Sequence, residues 1–122
     1  MNKFFLISGA LFAFLSVALG AFGAHSLKNI LNEYSLNIWN KAVLYQMFHA
    51  AALLLVGLLQ NMYKEINLDV AGYSFIAGII LFSGSLYILA LSQIKIFGAI
   101  TPIGGLAFLF GWGFFMYTIW KV

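Results

Sequence analysis

The stretch "YQMFHAAALLL" at residues 45–55 places Gln46 and His49 one helical turn apart in a run that is otherwise apolar. A carboxamide donates and accepts at once, and an imidazole titrates near neutral pH. Within a membrane such side chains relay protons, hold metals, or bond other helices. Other polar residues fall at compatible depths if the chain crosses a bilayer back and forth. Tyr45 and Gln46 lie a turn nearer the surface than His49, which is about two turns, or roughly 12 Å, into its apolar run. Tyr87, Ser83 and Ser85 approach the same face from the third apolar run, and Thr101 precedes the fourth. Tyr45, Gln46, His49, Ser83, Ser85, Tyr87 and Thr101 thus form a candidate polar cluster in one half of the membrane. His25 and Trp39 flank it as candidate interfacial residues.

Two readings compete for this cluster. In one it is a functional pocket or permeation path. In the other the polar groups bond one another and keep the helices in register, each bond contributing about 0.6 kcal/mol. The composition favours the second. The chain has no cysteine and two histidines, and its acids, Glu33, Glu65 and Asp69, all fall in connections between apolar runs. A metal site therefore lacks ligands, and no Ser-His-acid triad can form inside a span. Neither "FSGSLY" nor "TPIGG" has the spacing of a phosphate-binding loop. Trp112, near the middle of the last run, is expected to pack. No cofactor, metal or catalytic residue is expected.

The elements that must carry these residues follow from the composition. Hydrophobic residues make up 64% of the chain and charged residues 7%. Soluble domains carry about 25% charged residues, so the exterior here is matched to lipid. Apolar runs at about 4–24, 42–62, 70–92 and 102–120 are each long enough to span a ~30 Å hydrocarbon core as helices. Backbone groups in lipid must be satisfied within the segment, which requires helices there. The first run starts like a secretory signal, but its apolar core exceeds the usual length of about 7–15 residues. It also carries a small-residue stripe, Gly9, Ala13, Ser16, Gly20 and Gly23, that suits close helix packing. It is read as a retained helix. Gly104, Ala107 and Gly111 form a similar stripe in the fourth run, and Ser74, Gly78, Leu81, Ser85 and Ser92 share one in the third.

The first connection reads as more than a loop. Leu27, Ile30, Leu31, Tyr34 and Ile38 recur at near-helical spacing, predicting a short amphipathic helix in the membrane interface, capped by Ser26. Trp39 and Tyr45 would then lie at headgroup level, and Tyr63, Tyr73, Tyr117 and Trp120 at the opposite boundary. Thr101 before Pro102 predicts the start of the fourth helix. All six positive side chains are lysines. Lys3, Lys64 and Lys121 fall on one face and Lys28, Lys41 and Lys95 on the other, a tie that leaves orientation open. Scattered lysines do not make a nucleic-acid surface.

Four motifs in order, "GAFGAHSL", "WNKAVLYQMFHAAALLL", "FSGSLY" and "TPIGGLAFLFGW", resemble the small bacterial membrane-protein family called domain of unknown function 423, related to eukaryotic transmembrane protein 256. The resemblance covers nearly the whole chain. It implies a retained first helix and a four-span protein of the inner or plasma membrane, with no defined activity. It also singles out His25, Trp39, Tyr45, Gln46, His49, Ser83, Ser85, Tyr87, Thr101 and Pro102 as residues to test.

The expected fold is an all-α membrane protein, a compact bundle of four transmembrane helices with an interfacial helix between the first and second. The expected function is that of a non-enzymatic accessory or interaction module, with the bilayer and a membrane-protein partner or further copies of the chain as its contacts. The alternatives are an oligomeric transporter or channel lined by Gln46, His49 and Tyr87, and a membrane-embedded ligand or cofactor binder.

Overall fold

Between Glu33 and Met62 there is no proline, and the only glycine is Gly57, so nothing local interrupts a helix over this stretch. In the computed structural model, which describes residues 1–122, it forms one helix of 30 residues, α2 (Glu33–Met62). Asn32 starts it: its backbone is extended, and its side chain accepts a hydrogen bond from the Ser35 N–H at 2.8 Å. This satisfies one of the free donors of the first turn. The separate interfacial helix expected in the first connection is therefore absent. Its second half is the start of α2, and its first half is a turn over residues 26–32. The apolar spacing has a different cause: Leu27 and Leu31 turn inward onto Trp39, Val43 and Ala90. Ser26 caps no new helix, since its N–H donates to Phe22 O and closes α1.

The other helices are α1 (Phe4–His25), α3 (Asp69–Ser92) and α4 (Ile96–Lys121), so four helices are long and apolar enough to cross a membrane. At Ile79–Ser83, α3 widens into one turn of π-helix, where the Gly84 N–H reaches back five residues to Ile79 O. It ends at Gln93, the one non-glycine residue in a left-handed backbone conformation (φ 60°). The fourth helix starts six residues before Pro102 rather than at Thr101, so the proline lies inside it. The missing N–H of Pro102 releases the carbonyl of Gly98, in the first turn. Phe97 and Gly98 bond carbonyls three residues back, in a tight initial turn built on Ile94 and Lys95.

Small residues set the packing. In α1, Gly9 and Gly23 are buried on α2: a Cβ at Gly9 would lie 2.9 Å from Ala50 O, and one at Gly23 would lie 2.6 Å from the Trp39 ring. Gly20 meets Val43, and buried Ser16 lies between them. In α4, Gly104 and Gly111 are buried on α3, where Gly104 meets the backbone of Leu81 and Phe82 in the π turn and Gly111 meets Phe75. Of the third-run stripe, Gly78 packs on Phe108, whereas Ser92 is exposed and bonds its own helix at Ile88 O.

The helices pack in the order α1–α2–α3–α4, with α2 and α3 in the middle. Of the apolar stretch of each helix, 50% is buried in α2 and 39% in α3, against 17% in both α1 and α4. The flanking helices present rows of large apolar side chains outward, such as Ile7, Leu11, Phe14 and Val17 on α1 and Leu106, Leu109, Phe110 and Met116 on α4. Patches of this extent are rare on soluble monomers and match an acyl-chain solvent. The face holding both termini is tied by reciprocal hydrogen bonds between Asn2 and Asn61, 3.0 and 2.8 Å. There Gln60 also bonds the Asp69 carboxylate at 3.1 Å, and its side-chain oxygen accepts the Leu68 N–H.

Candidate functional site

Gln46 is 3% exposed, and α2 points it between α1 and α3. Its amide nitrogen donates to Phe12 O of α1 at 3.0 Å, and its amide oxygen accepts the Tyr87 hydroxyl of α3 at 2.7 Å. Phe12 O also accepts the Ser16 hydroxyl at 2.7 Å. Two turns toward the start of α2, Trp39 donates its indole N–H to Leu19 O at 2.9 Å and packs edge-on to the Tyr87 ring, centroids 4.7 Å apart. Trp39 is thus buried among three helices, not displayed to headgroups. An indole inside a helix interface needs an acceptor, and α1 supplies one.

His49, one turn further along α2, meets α3 and α4 instead. It lies sixteen residues after Glu33 and thirteen before Met62, about 24 Å from one helix end and 20 Å from the other at ~1.5 Å per residue. It is therefore central in α2, deeper than the two turns expected from a helix starting at Ala42. Its ring stacks on Phe108, centroids 3.6 Å apart with planes 10° off parallel. Both nitrogens are engaged: Nδ1 lies 2.8 Å from Tyr45 O, and Trp112 Nε1 lies 3.0 Å from Nε2. A carbonyl only accepts and an indole N–H only donates. The partners therefore assign the tautomer as protonated on Nδ1 and bare on Nε2. A second proton on Nε2 would point at the indole N–H.

The serines and Thr101 make a third set. Ser83, in the π turn, donates to Ala42 O of α2 at 2.7 Å. Ser85 and Thr101 meet across α3 and α4 at 2.6 Å. Each also reaches a carbonyl of its own helix, Phe82 O at 3.0 Å and Phe97 O at 3.1 Å. Two hydroxyl protons face three contacts, so only two of the three can be hydrogen bonds at once.

The seven candidates therefore do not converge on one pocket. Gln46 and Tyr87 pair next to α1, His49 packs toward α4, and Ser85 meets Thr101 on the α3–α4 seam. Three residues fall short of a full turn, so Gln46 and His49 point about 60° apart, enough to meet different neighbouring helices. Tyr45 contributes its ring, 4.5 Å from that of Phe82, and is 39% exposed. His25 is exposed on the last turn of α1. No three His, Asp or Glu side chains come together anywhere in the chain. Beside His49, the rings of Tyr45, Phe48, Phe82, Phe108 and Trp112 line a lateral groove of about 630 Å³ between α2 and α4.

Sequence reasoning missed two participants. Trp112 is a hydrogen-bond donor to His49 as well as a packing residue, and Phe12 lends its carbonyl. The first was accessible: an indole N–H in mid-span needs an acceptor, and spans of similar length crossing one bilayer have their centres level. The second carried no signal, because any residue has a carbonyl.

Replacing Gln46 by leucine leaves the Tyr87 hydroxyl without its acceptor. The expected loss is about 1–2 kcal/mol of bundle stability, against no more than about 0.5 kcal/mol for Tyr45→Phe at its exposed position. Unfolding by sodium dodecyl sulfate in mixed micelles measures both; equal losses would refute the Gln46–Tyr87 bond.

Four apolar helices, an interior whose buried polar side chains are paired except at Thr118, and an exterior suited to acyl chains define a multi-span α-helical membrane protein. The chain belongs to the family described as Protein of unknown function (DUF423), which matches residues 19–105, as its ordered motifs imply. It is 52% identical over 110 residues to a UPF0382 membrane protein of Staphylococcus aureus (strain bovine RF122 / ET3-1), covering 90% of this chain and 89% of that one. It is 49% identical over 111 residues to the UPF0382 membrane protein YwdK of Bacillus subtilis (strain 168), covering 90% of each. No solved structure matches it.

Proposed function

We propose that this protein is a non-enzymatic accessory module of the cell membrane that works by lateral association with other transmembrane segments. The observation supporting this is a division between inside and outside. Gln46, Tyr87, His49, Trp112, Ser83, Ser85 and Thr101 spend their polar groups on one another or on backbone carbonyls. They hold α1 to α4 in fixed register. The outer faces of α1 and α4 are large, apolar and without a partner in the chain, with Phe14 72% and Leu109 69% exposed. A rigid core with two open flanks suits a scaffold between membrane helices. Photo-crosslinking residues at Phe14 and Leu109, activated in native membranes, test this. The expected result is a discrete protein adduct from at least one flank; adducts to lipid alone from both would overturn the reading.

A second reading, the binding of an apolar ligand, is favoured by the lateral groove beside His49. Its aromatic walls suit a flat or chain-like molecule entering from the bilayer. Mass spectrometry of the protein purified in mild detergent decides it: no ligand carried through by the wild type, or one carried equally after Phe48→Ala, removes this reading.

A further inference from the structure

On the face opposite the termini, the start of α2 and the α3–α4 connection enclose a crevice unlike the rest of the surface. Tyr34 and Ser35 of α2, Leu89 and Gln93 at the end of α3, and Lys95 and Gly98 beside the start of α4 line about 330 Å³. Only Leu89 among them is an aliphatic side chain. No acidic side chain lines the crevice, so Lys95 has no countercharge within it.

Its polar side chains supply hydrogen-bond protons. Ser35 is 2% exposed, and its oxygen accepts from the Gln93 amide at 3.1 Å. The hydroxyl proton of Ser35 is then free for an acceptor in the crevice. The amide of Gln93 keeps a second N–H, the ammonium of Lys95 has three, and the Tyr34 phenol stands at the rim. The left-handed backbone of Gln93 (φ 60°) costs free energy in a residue other than glycine. It carries the side chain back across to Ser35.

We propose that this crevice binds the phosphate oxygens of an anionic phospholipid headgroup through Lys95, Gln93, Ser35 and Tyr34. Three considerations converge on that ligand. Donors with no acid among the lining side chains call for an acceptor-rich anion. One ammonium matches the single negative charge of a phosphodiester and leaves a phosphate dianion half compensated. The crevice also lies where helices leave the bilayer, the depth at which lipid phosphates are concentrated. The inference does not rest on the accessory role proposed above.

The test is lipid retention by the intact protein in native mass spectrometry, with phosphatidylglycerol, phosphatidylcholine and inorganic phosphate supplied separately. Wild type should retain phosphatidylglycerol above phosphatidylcholine. Lys95→Ala should reduce that retention roughly fivefold, the effect of about one lysine at an anionic surface. Gln93→Gly separates binding from folding: glycine accepts φ 60° without cost, so thermal stability should hold or rise while retention falls. Lys64→Ala, at the opposite face, should leave retention unchanged. Equal retention of the two lipids by wild type, or wild-type retention in both Lys95→Ala and Gln93→Gly, overturns the proposal. Binding of inorganic phosphate with no preference for phosphatidylglycerol overturns the lipid as its source.

Discussion

Gly104→Ala should destabilise the bundle by about 3 kcal/mol or more, at the upper end of the cost of overpacking. The added methyl would fall on the backbone of Leu81 and Phe82, which cannot rotate away as a side chain would. Relief requires α4 to move off α3, and that movement strains the Ser85–Thr101 bond and the packing of Gly78 on Phe108. The π turn at Ile79–Ser83 makes the site less forgiving, because α4 rests against its widened backbone. Gly113 on the same helix has nothing within 4 Å of an added Cβ. Gly113→Ala should therefore be neutral or stabilise by up to about 1 kcal/mol through helix propensity. Detergent unfolding of the two variants side by side gives the answer. Similar values for both would mean that α4 does not contact α3 through Gly104.

His49→Ala should cost about 2–4 kcal/mol, combining a cavity with an orphaned donor. The lost ring stacks on Phe108 and fills the space between Phe75 and Trp112. Its loss also leaves the Trp112 indole N–H without an acceptor. A double-mutant cycle with Trp112→Phe measures the coupling of the pair, hydrogen bond and ring contact together: the loss in the double mutant should fall short of the sum of the single losses by about 1 kcal/mol. Additive losses would show that the indole and imidazole do not interact. A cost for His49→Ala below about 0.5 kcal/mol, the range of surface substitutions, would place the ring outside the packed core.

Much of this architecture is readable in the chain without coordinates. Apolar runs of about 20 residues leave helices as the only backbone solution in lipid. The small residues Gly9, Gly20, Gly104 and Gly111 mark where helices approach closely, because their spacing keeps them on one face. What misled was punctuation. Leu27, Ile30, Leu31, Tyr34 and Ile38 have helical spacing, yet the helix starts at Glu33, because the Asn32 side chain caps the Ser35 N–H and the turn before it folds inward. Thr101 and Pro102 carry the signature of a helix start, yet α4 begins at Ile96 and keeps the proline near its first turn, where one lost hydrogen bond is tolerable.

The polar residues divide along the same line. That Gln46, His49, Tyr87, Ser83, Ser85 and Thr101 turn toward neighbouring helices follows from their chemistry and from the expense of unpaired polar groups in lipid. Which group meets which does not follow, because partners depend on helix rotation and on offsets of a single turn. The chain by itself determined the four spans, their close-packing faces and the need for an internal polar layer, since these depend on local composition and spacing. Only the tertiary structure decided that the layer divides into separate pairs, that Trp112 bonds His49, and that Gln93 and Lys95 share a crevice with Ser35. Those contacts join residues as many as sixty-three positions apart, and no local pattern encodes a distance of that kind.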